Sequence, residues 1–260
     1  MKKSILSPAL VALGLASSVT QAAEPVKPTV VLVHGAFADS SSWDGVIRIL
    51  QKDGYKVIAA ANPLRGVKSD ATMVSDLLST LPSPVVLVGH SYGGSVISEA
   101  ANGHENVKAL VYVAAFAPEA GETAAGLSGK FPGSTLGPAL APPVSTASGG
   151  KDLYIDQSKF HAQFAADVPA LAASTMAVGQ RPIAEAALNE PSEKPAWKDI
   201  PAWFVYGDLD KNIPAQALGF MAERAQSRQT VVVKGASHVV MVSNPAKVAG
   251  LIEIAAKGSP

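Results

Sequence analysis

Six short, uninterrupted apolar runs constrain this chain more than any other feature. They are Thr29-Val-Val-Leu-Val-His34, Lys56-Val-Ile-Ala-Ala60, Val85-Val-Leu-Val-Gly89, Ala109-Leu-Val-Tyr-Val-Ala114, Ala202-Trp-Phe-Val-Tyr206 and Thr230-Val-Val-Val-Lys234. Runs of this kind read as strands buried on both faces, which is the condition of a parallel sheet. Helical patterns lie between them. Trp43 to Gln51 places Val46, Ile47 and Leu50 on one stripe, and Ala71 to Leu81 does the same with Val74, Leu77, Leu78 and Leu81. Asn244-Pro245 reads as an N-cap followed by proline in the first helical position, opening a helix to Ala256. Alternating strands and helices predict an α/β fold, a mostly parallel sheet with helices on both faces.

The alternation stops once. From Pro118 to Ile200 no strand-like run is visible. The segment begins rich in glycine and proline, then turns helical over 157–166, 168–177 and 183–188. It reads as a helical lid inserted into the sheet. The expected organisation is a core of 23–117 and 200–260 with an insertion at 118–199. Ahead of the core, Met1-Lys-Lys3 precedes an apolar run from Ile5 to Ala16 and the small-residue triplet Thr20-Gln21-Ala22. This is the layout of a cleaved secretory signal over 1–22, which predicts export to the periplasm or medium. No later run is long enough for a membrane span, so none is expected in the mature chain.

Charge narrows the partners. Lys and Arg total 21 against 21 Asp and Glu, which leaves no basic footprint for nucleic acid. Cysteine is absent, so disulfides, thiolate metal sites and cysteine nucleophiles are excluded. No dinucleotide loop, phosphate loop or metal-ligand cluster occurs in the sequence, and no cofactor or metal is expected. A small-molecule substrate is the expected partner.

The chemistry centres on Val88-Gly89-His90-Ser91-Tyr92-Gly93-Gly94. It fits Gly-x-Ser-x-Gly with a buried strand directly before it and a helix pattern, Ser95 to Ala101, directly after. A turn that sharp needs flanking positions without side chains, and it lifts Ser91 to the carboxyl edge of the sheet at a helix N-terminus. Ser91 is the candidate nucleophile. Of five histidines, His238 follows the last strand and lies at the same edge, so it is the candidate base. His90 is expected to point away from Ser91. His34 suits a structural or oxyanion-loop role, His104 the surface, and His161 the lid. The orienting acid is Asp208 or Asp210, both after the Ala202–Tyr206 strand, with Glu119 a minor alternative. Oxyanion donors are expected at the Tyr92 N–H and, in the loop after the first strand, the Ala36 N–H, with Phe37 next. Phe37, Phe116 and Met241 adjoin these loops and are the candidate substrate contacts. Phe131, Tyr154, Phe160, Phe164 and Met176 are candidates to close over the site from the lid, with core packing the alternative for each. Trp43 is assigned to the core.

These segments together resemble the α/β-hydrolase superfamily, and within it the branch of plant methylesterases, plant hydroxynitrile lyases and exported bacterial relatives. The resemblance rests on His34-Gly-Ala-Phe-Ala-Asp-Ser-Ser-Ser-Trp43, Gly89-His-Ser-Tyr-Gly-Gly94, Ala114-Ala-Phe-Ala-Pro-Glu119, Gly207-Asp-Leu-Asp210 and Ser237-His238. It covers nearly all of the chain after the leader. It implies an α/β-hydrolase fold and the set Ser91, Asp210 and His238. Asp210 is favoured because it matches Gly-x-x-Asp-x-x-x-Pro, while Asp208 suits a turn that bonds backbone N–H groups. Lyases of the branch carry threonine at the position of Gly35 and lysine directly after the histidine, where this chain has Val239. Both departures imply ester hydrolysis. No Arg or Lys lies in a catalytic loop except Lys211, so the expected substrate is a small, neutral, partly apolar ester or lactone. Ser91 argues against a haloalkane dehalogenase, which carries aspartate there. Haloperoxidase-type side activity would use the same residues. The alternatives are a non-enzymatic small-molecule receptor on the same fold, or a lyase or C–C hydrolase.

Overall fold

The computed structural model describes residues 26–81 and 84–258. The expected leader at 1–22 lies outside the described residues. The strands are β1 (Thr29–Val33), β2 (Val57–Ala60), β3 (Val85–His90), β4 (Val107–Val113), β5 (Val144–Ser145), β6 (Lys151–Leu153), β7 (Ile183–Ala184), β8 (Ala202–Gly207) and β9 (Gln229–Val233). The helices are α1 (Asp44–Lys52), α2 (Val67–Ser79), α3 (Gly93–Ala100), α4 (Ala124–Gly129), α5 (Leu136–Ala139), α6 (Gln157–Phe164), α7 (Ala170–Gly179), α8 (Glu185–Asn189), α9 (Ala215–Arg224), α10 (Val240–Ser243) and α11 (Pro245–Lys257).

Six strands form one sheet in the order β2-β1-β3-β4-β8-β9, with every pairing parallel. The α/β-hydrolase expectation is met. Every residue of β1, β3 and β8 is buried, so both faces of the sheet centre are covered. Helices α1 and α11 pack together, as do α2 and α3, and α3 and α11 both reach the central strands. Tyr112 of β4 and Phe204 of β8 stack at 4.6 Å between ring centroids, inside this core.

The sheet edges differ from the sequence reading. β9 is an outer strand, and only Val233 of its five residues is buried. β2, at the other edge, is half-buried throughout. An edge strand has a neighbour on one side only, and here its apolar residues are covered in part. The stretch from Pro118 to Ile200 also differs. It holds five helices and a small antiparallel sheet, β5-β6-β7, where no strand was expected. Strands of two or three residues are too short to leave a period in the sequence. Helices α6, α7 and α8 lie close to the expected spans, except that Ile183-Ala184 pairs as β7 before α8 begins, whereas α4 and α5 are short helices in the glycine- and proline-rich part where the sequence predicts none.

This segment is tied to the core by polar contacts. Helix α2 starts at Gly66, which has no side chain to cap it. The Glu190 carboxylate takes that role from outside, accepting from the Val67 N–H at 2.5 Å. Arg65 pairs with Asp152 at 2.6 Å and also donates to the Pro182 carbonyl.

The strand order has a functional consequence. The chain leaves β1 for β2 on one side, then crosses to β3 on the other. The loops after β1 and β3 therefore diverge at the carboxyl edge and open a crevice between them, the usual place for a ligand in an open α/β sheet. Val33 pairs with Gly89 at that point. Phe204→Ala would remove half of the buried stacked pair, and we expect it to destabilise the fold by about 3–5 kcal/mol, read as a fall in the urea unfolding midpoint with unchanged slope.

Candidate active site

Ser91 sits in the turn from β3 to α3 with φ of 53°, a left-handed conformation unusual for a residue with a side chain. The turn holds because its neighbours are glycines. A Cβ on Gly89 would lie 2.6 Å from the Gly93 carbonyl oxygen, and one on Gly93 would lie 2.5 Å from that of Val33. The Ser91 carbonyl accepts from the N–H groups of Gly94 (2.9 Å) and Phe116 (3.1 Å), which fixes the turn on both sides.

The other two loops are brought in by a backbone contact. A Cβ on Gly207, at the end of β8, would lie 2.1 Å from the Ala236 carbonyl oxygen. Only glycine lets the loop after β8 lie directly on the loop after β9. The Leu209 N–H donates to that carbonyl at 3.1 Å, and Asp208 accepts from the Gly235 N–H at 2.6 Å. Asp210 and His238 then face each other. The His238 Nδ1–H donates to Asp210 Oδ2 at 2.6 Å, and the Ser91 hydroxyl donates to His238 Nε2 at 2.8 Å. The second carboxylate oxygen of Asp210 accepts from the N–H groups of Asn212 (2.8 Å) and Ile213 (3.0 Å). All three side chains are buried. A buried carboxylate needs such partners, since removing it from water costs several kcal/mol.

The loop after β1 completes the crevice. Gly35 touches the serine turn, for a Cβ there would be 2.6 Å from both Ser91 Cβ and the His90 carbonyl oxygen. Among the described residues, the N–H groups of Ala36 and Tyr92 carry no hydrogen bond, and both residues line the same cavity as Ser91. The Phe37 N–H is already committed to the Arg181 carbonyl at 3.0 Å, so it is not an available donor. The cavity measures about 340 Å³. Phe37 and Phe116 line it, and no charged side chain does.

The alpha/beta hydrolase family model matches residues 30–251. The chain belongs to this family. It is 26% identical to alpha/beta hydrolase nvfD of Aspergillus novofumigatus, over 89% of this chain and 97% of that one. It is also 26% identical to the alpha-hydroxynitrile lyase of Arabidopsis thaliana, over 84% of this chain and 92% of the relative. The crystal structure of polyneuridine aldehyde esterase superposes with a TM-score of 0.76 at 17% identity, covering 88% of this chain and 99% of the other, a likeness of fold. Further relatives bear the names of esterases and hydrolases, which supports a hydrolase.

Several expected contacts of this α/β hydrolase lie elsewhere. Met241 is fully buried in α10 and is not a wall of the cavity, because its short helix turns the side chain into the core. None of the five lid residues proposed to cover the site lines it. Phe160 and Phe164 are fully buried, with Phe164 edge-on to His238 at 5.1 Å, so it supports the ring from behind. Phe131 packs on Phe220, and Met176 lines a separate cavity beside Phe37. The side of the cavity formed by residues 118–199 is built instead from small and aliphatic residues, among them Ala124, Leu136, Leu140 and Leu188. Glu119 pairs with Lys198 at 2.5 Å. Trp43 is fully buried, as expected.

A further buried carboxylate carries little signal in the sequence. Asp70, on the inner face of α2, accepts from the Tyr92 hydroxyl at 3.0 Å and from the Arg65 N–H. Burial pushes its carboxyl above the usual range and pushes the Tyr92 phenol up as well. Its one sequence signal is its place among Val67, Ala71 and Val74 on an apolar stripe.

Two other histidines are buried beside the site, and both are held neutral. His90 donates from Nε2 to the His238 carbonyl at 3.2 Å, its ring 4.8 Å from that of His238. It supports the His238 loop and does not simply turn away from the site. Its Nδ1 has no partner, and burial followed by the nearness of His238 depresses its pKa well below 6.5. His34 donates from Nδ1 to the Gly35 carbonyl and accepts at Nε2 from the Asn62 N–H. Burial lowers its pKa too, with the Arg181 charge acting in the same direction. His104 bonds Ser75 and His161 bonds the Val168 carbonyl. The unfolded chain binds protons below 6.5 that His34 and His90 refuse when folded. Stability is therefore held above that value and lost as pH falls through it. Melting temperatures between about pH 8 and about pH 5 should fall on the acid side, with a shallower slope in His90→Gln; identical slopes would contradict this account.

Proposed function

We propose that this protein is a serine esterase that hydrolyses small, uncharged, partly apolar carboxylic esters or lactones through an acyl-enzyme. The observation that carries the reading is the buried chain from Ser91 through His238 to Asp210, opening on a cavity without charged walls. Ser91 Oγ attacks the ester carbonyl while His238 Nε2 takes its proton. Asp210 holds the imidazole tautomer and stabilises the imidazolium. The free N–H groups of Ala36 and Tyr92 bind the tetrahedral oxyanion. Collapse expels the alcohol, which takes the proton from His238. Water, deprotonated by His238, then attacks the acyl-enzyme, releases the acid and restores Ser91.

The lyase reading lacks its groups here. Where lyases of the branch carry a threonine and a lysine, this chain has Gly35, with no room for a Cβ, and Val239, fully buried. Export on the leader at 1–22 is part of the proposal. A panel of p-nitrophenyl esters of rising acyl length, run beside mandelonitrile, tests it. Ester turnover should fall about 10⁴-fold or more in Ser91→Ala. Full activity in that variant would sink the mechanism. Cleavage of mandelonitrile in preference to any ester would replace it with a lyase. A single acyl burst without turnover would point to a receptor.

A further inference from the structure

The cavity wall contains one polar group whose partners are arranged to leave it unpaired. The hydroxyls of Ser128 and Ser134 also line the cavity, but both donate to the Asn212 carbonyl, at 2.8 and 2.9 Å. Their protons are spent. The Asn212 carboxamide is oriented by Gln163. Gln163 Nε2 donates to the Lys211 carbonyl at 3.0 Å, and a main-chain carbonyl can only accept, so nitrogen occupies that side of the amide. The same Nε2 lies 2.8 Å from Asn212, which must therefore present Oδ1 to it. The Thr135 hydroxyl closes the series by donating to Gln163 Oε1 at 2.8 Å. Asn212 Nδ2 is thereby turned away from Gln163, and it makes no hydrogen bond among the described residues. Asn212 and Gln163 are 4% and 6% exposed, so this is a buried, built arrangement rather than a surface amide.

A donor held in place at a cavity wall with no protein partner is free to meet an acceptor on a ligand. We propose that Asn212 Nδ2 is a specificity-determining donor that binds a second acceptor oxygen of the substrate, remote from the bond being cleaved. The preferred substrates are then esters that carry an ether oxygen in addition to the ester group. This rests on the esterase reading and narrows its substrate class. It also accounts for the coupling of Asn212 to the acid, since the Asn212 N–H holds Asp210 Oδ1 at 2.8 Å. A substrate oxygen on the side chain and the acid on the backbone are gripped by one residue.

The test compares isosteric pairs on the wild-type protein, Asn212→Ala and Asn212→Asp. On the acyl side the pairs are p-nitrophenyl hexanoate against the three analogues in which oxygen replaces one methylene (propoxyacetate, 3-ethoxypropanoate, 4-methoxybutanoate). On the alcohol side the pair is pentyl acetate against 2-ethoxyethyl acetate. Each ratio of kcat/KM is divided by the ratio of hydroxide hydrolysis rates, which removes intrinsic reactivity. The wild-type protein should prefer at least one oxygen-bearing ester by about tenfold, and both variants should lose that preference whatever happens to absolute rates. Asn212→Asp keeps an oxygen for Gln163 but has no Nδ2, so it separates recognition from packing. An unchanged ratio in both variants, or no wild-type preference in either series, would overturn the assignment of Asn212 while leaving the esterase reading in place. Failure of the wild-type protein to turn over any of these esters would overturn both.

Discussion

The contact between Gly35 and the serine turn is the constraint on which the rest of the site depends. It exists because β1 and β3 are sheet neighbours whose following loops leave in different directions. With no Cβ at position 35, the β1 loop lies directly on Ser91. That closeness brings the Ala36 and Tyr92 N–H groups to one cavity and leaves both unpaired. It also sends Phe37 into a left-handed backbone, φ 60°, from which its N–H reaches Arg181 and its ring meets Phe164 edge-on at 6.1 Å. A bulkier residue at 35 would push the serine turn away from both donors. Oxyanion stabilisation relies on donors fixed in advance, so a small shift there has a large effect on rate.

His90 and His238 show how environment separates two identical side chains 4.8 Å apart. Each donates one ring N–H to an oxygen. For His90 that oxygen is a main-chain carbonyl, and its other nitrogen faces no partner. Nothing there compensates a positive charge, and the ring stays neutral. For His238 the oxygen belongs to the Asp210 carboxylate, and the other nitrogen meets Ser91. In the proposed mechanism only the second arrangement can accept a proton from serine and tolerate the imidazolium that forms. His90 contributes by holding the His238 backbone.

The central strands were readable because a strand buried on both faces cannot hide its composition. Ser91, Asp210 and His238 were readable because each follows such a strand at the carboxyl edge, and strand ends are positions that a sequence can specify. The edge strands misled for the same reason. Thr230 to Val233 has the composition of a covered strand, yet β9 has a neighbour only at β8 and is largely exposed. Helix α9, which opens behind Pro214, buries only a short stripe that includes Leu218 and Met221 and so leaves a weak pattern. Nearness in sequence to His238 does not fix the direction of the Met241 side chain within the one-turn helix α10. Large aromatic side chains suit a core as well as a cavity wall, and Phe160 and Phe164 are fully buried. Gln163 and Asp70 were invisible because their meaning lies in partners 49 and 22 residues away.

The cavity and the chain's charge balance lead to the same substrate chemistry by separate routes. The chain balances 21 basic against 21 acidic residues, and removal of the leader with Lys2 and Lys3 would leave only a slight acidic excess, which offers little long-range attraction for an ionic ligand. At short range the cavity has apolar walls, two serine hydroxyls already committed to a carbonyl, and one amide donor. A carboxylate or ammonium entering this space would lose its hydration and meet no countercharge, at a cost of several kcal/mol. A neutral ester loses little hydration and gains the apolar contact. Discrimination among neutral esters must then come from position rather than charge. The fixed points available for it are the two free N–H groups beside Ser91 and the Asn212 amide, and three fixed points determine how a small molecule lies in a pocket. The proposed enzyme would select by where a substrate carries its oxygens, with chain length limited by the aliphatic lid wall.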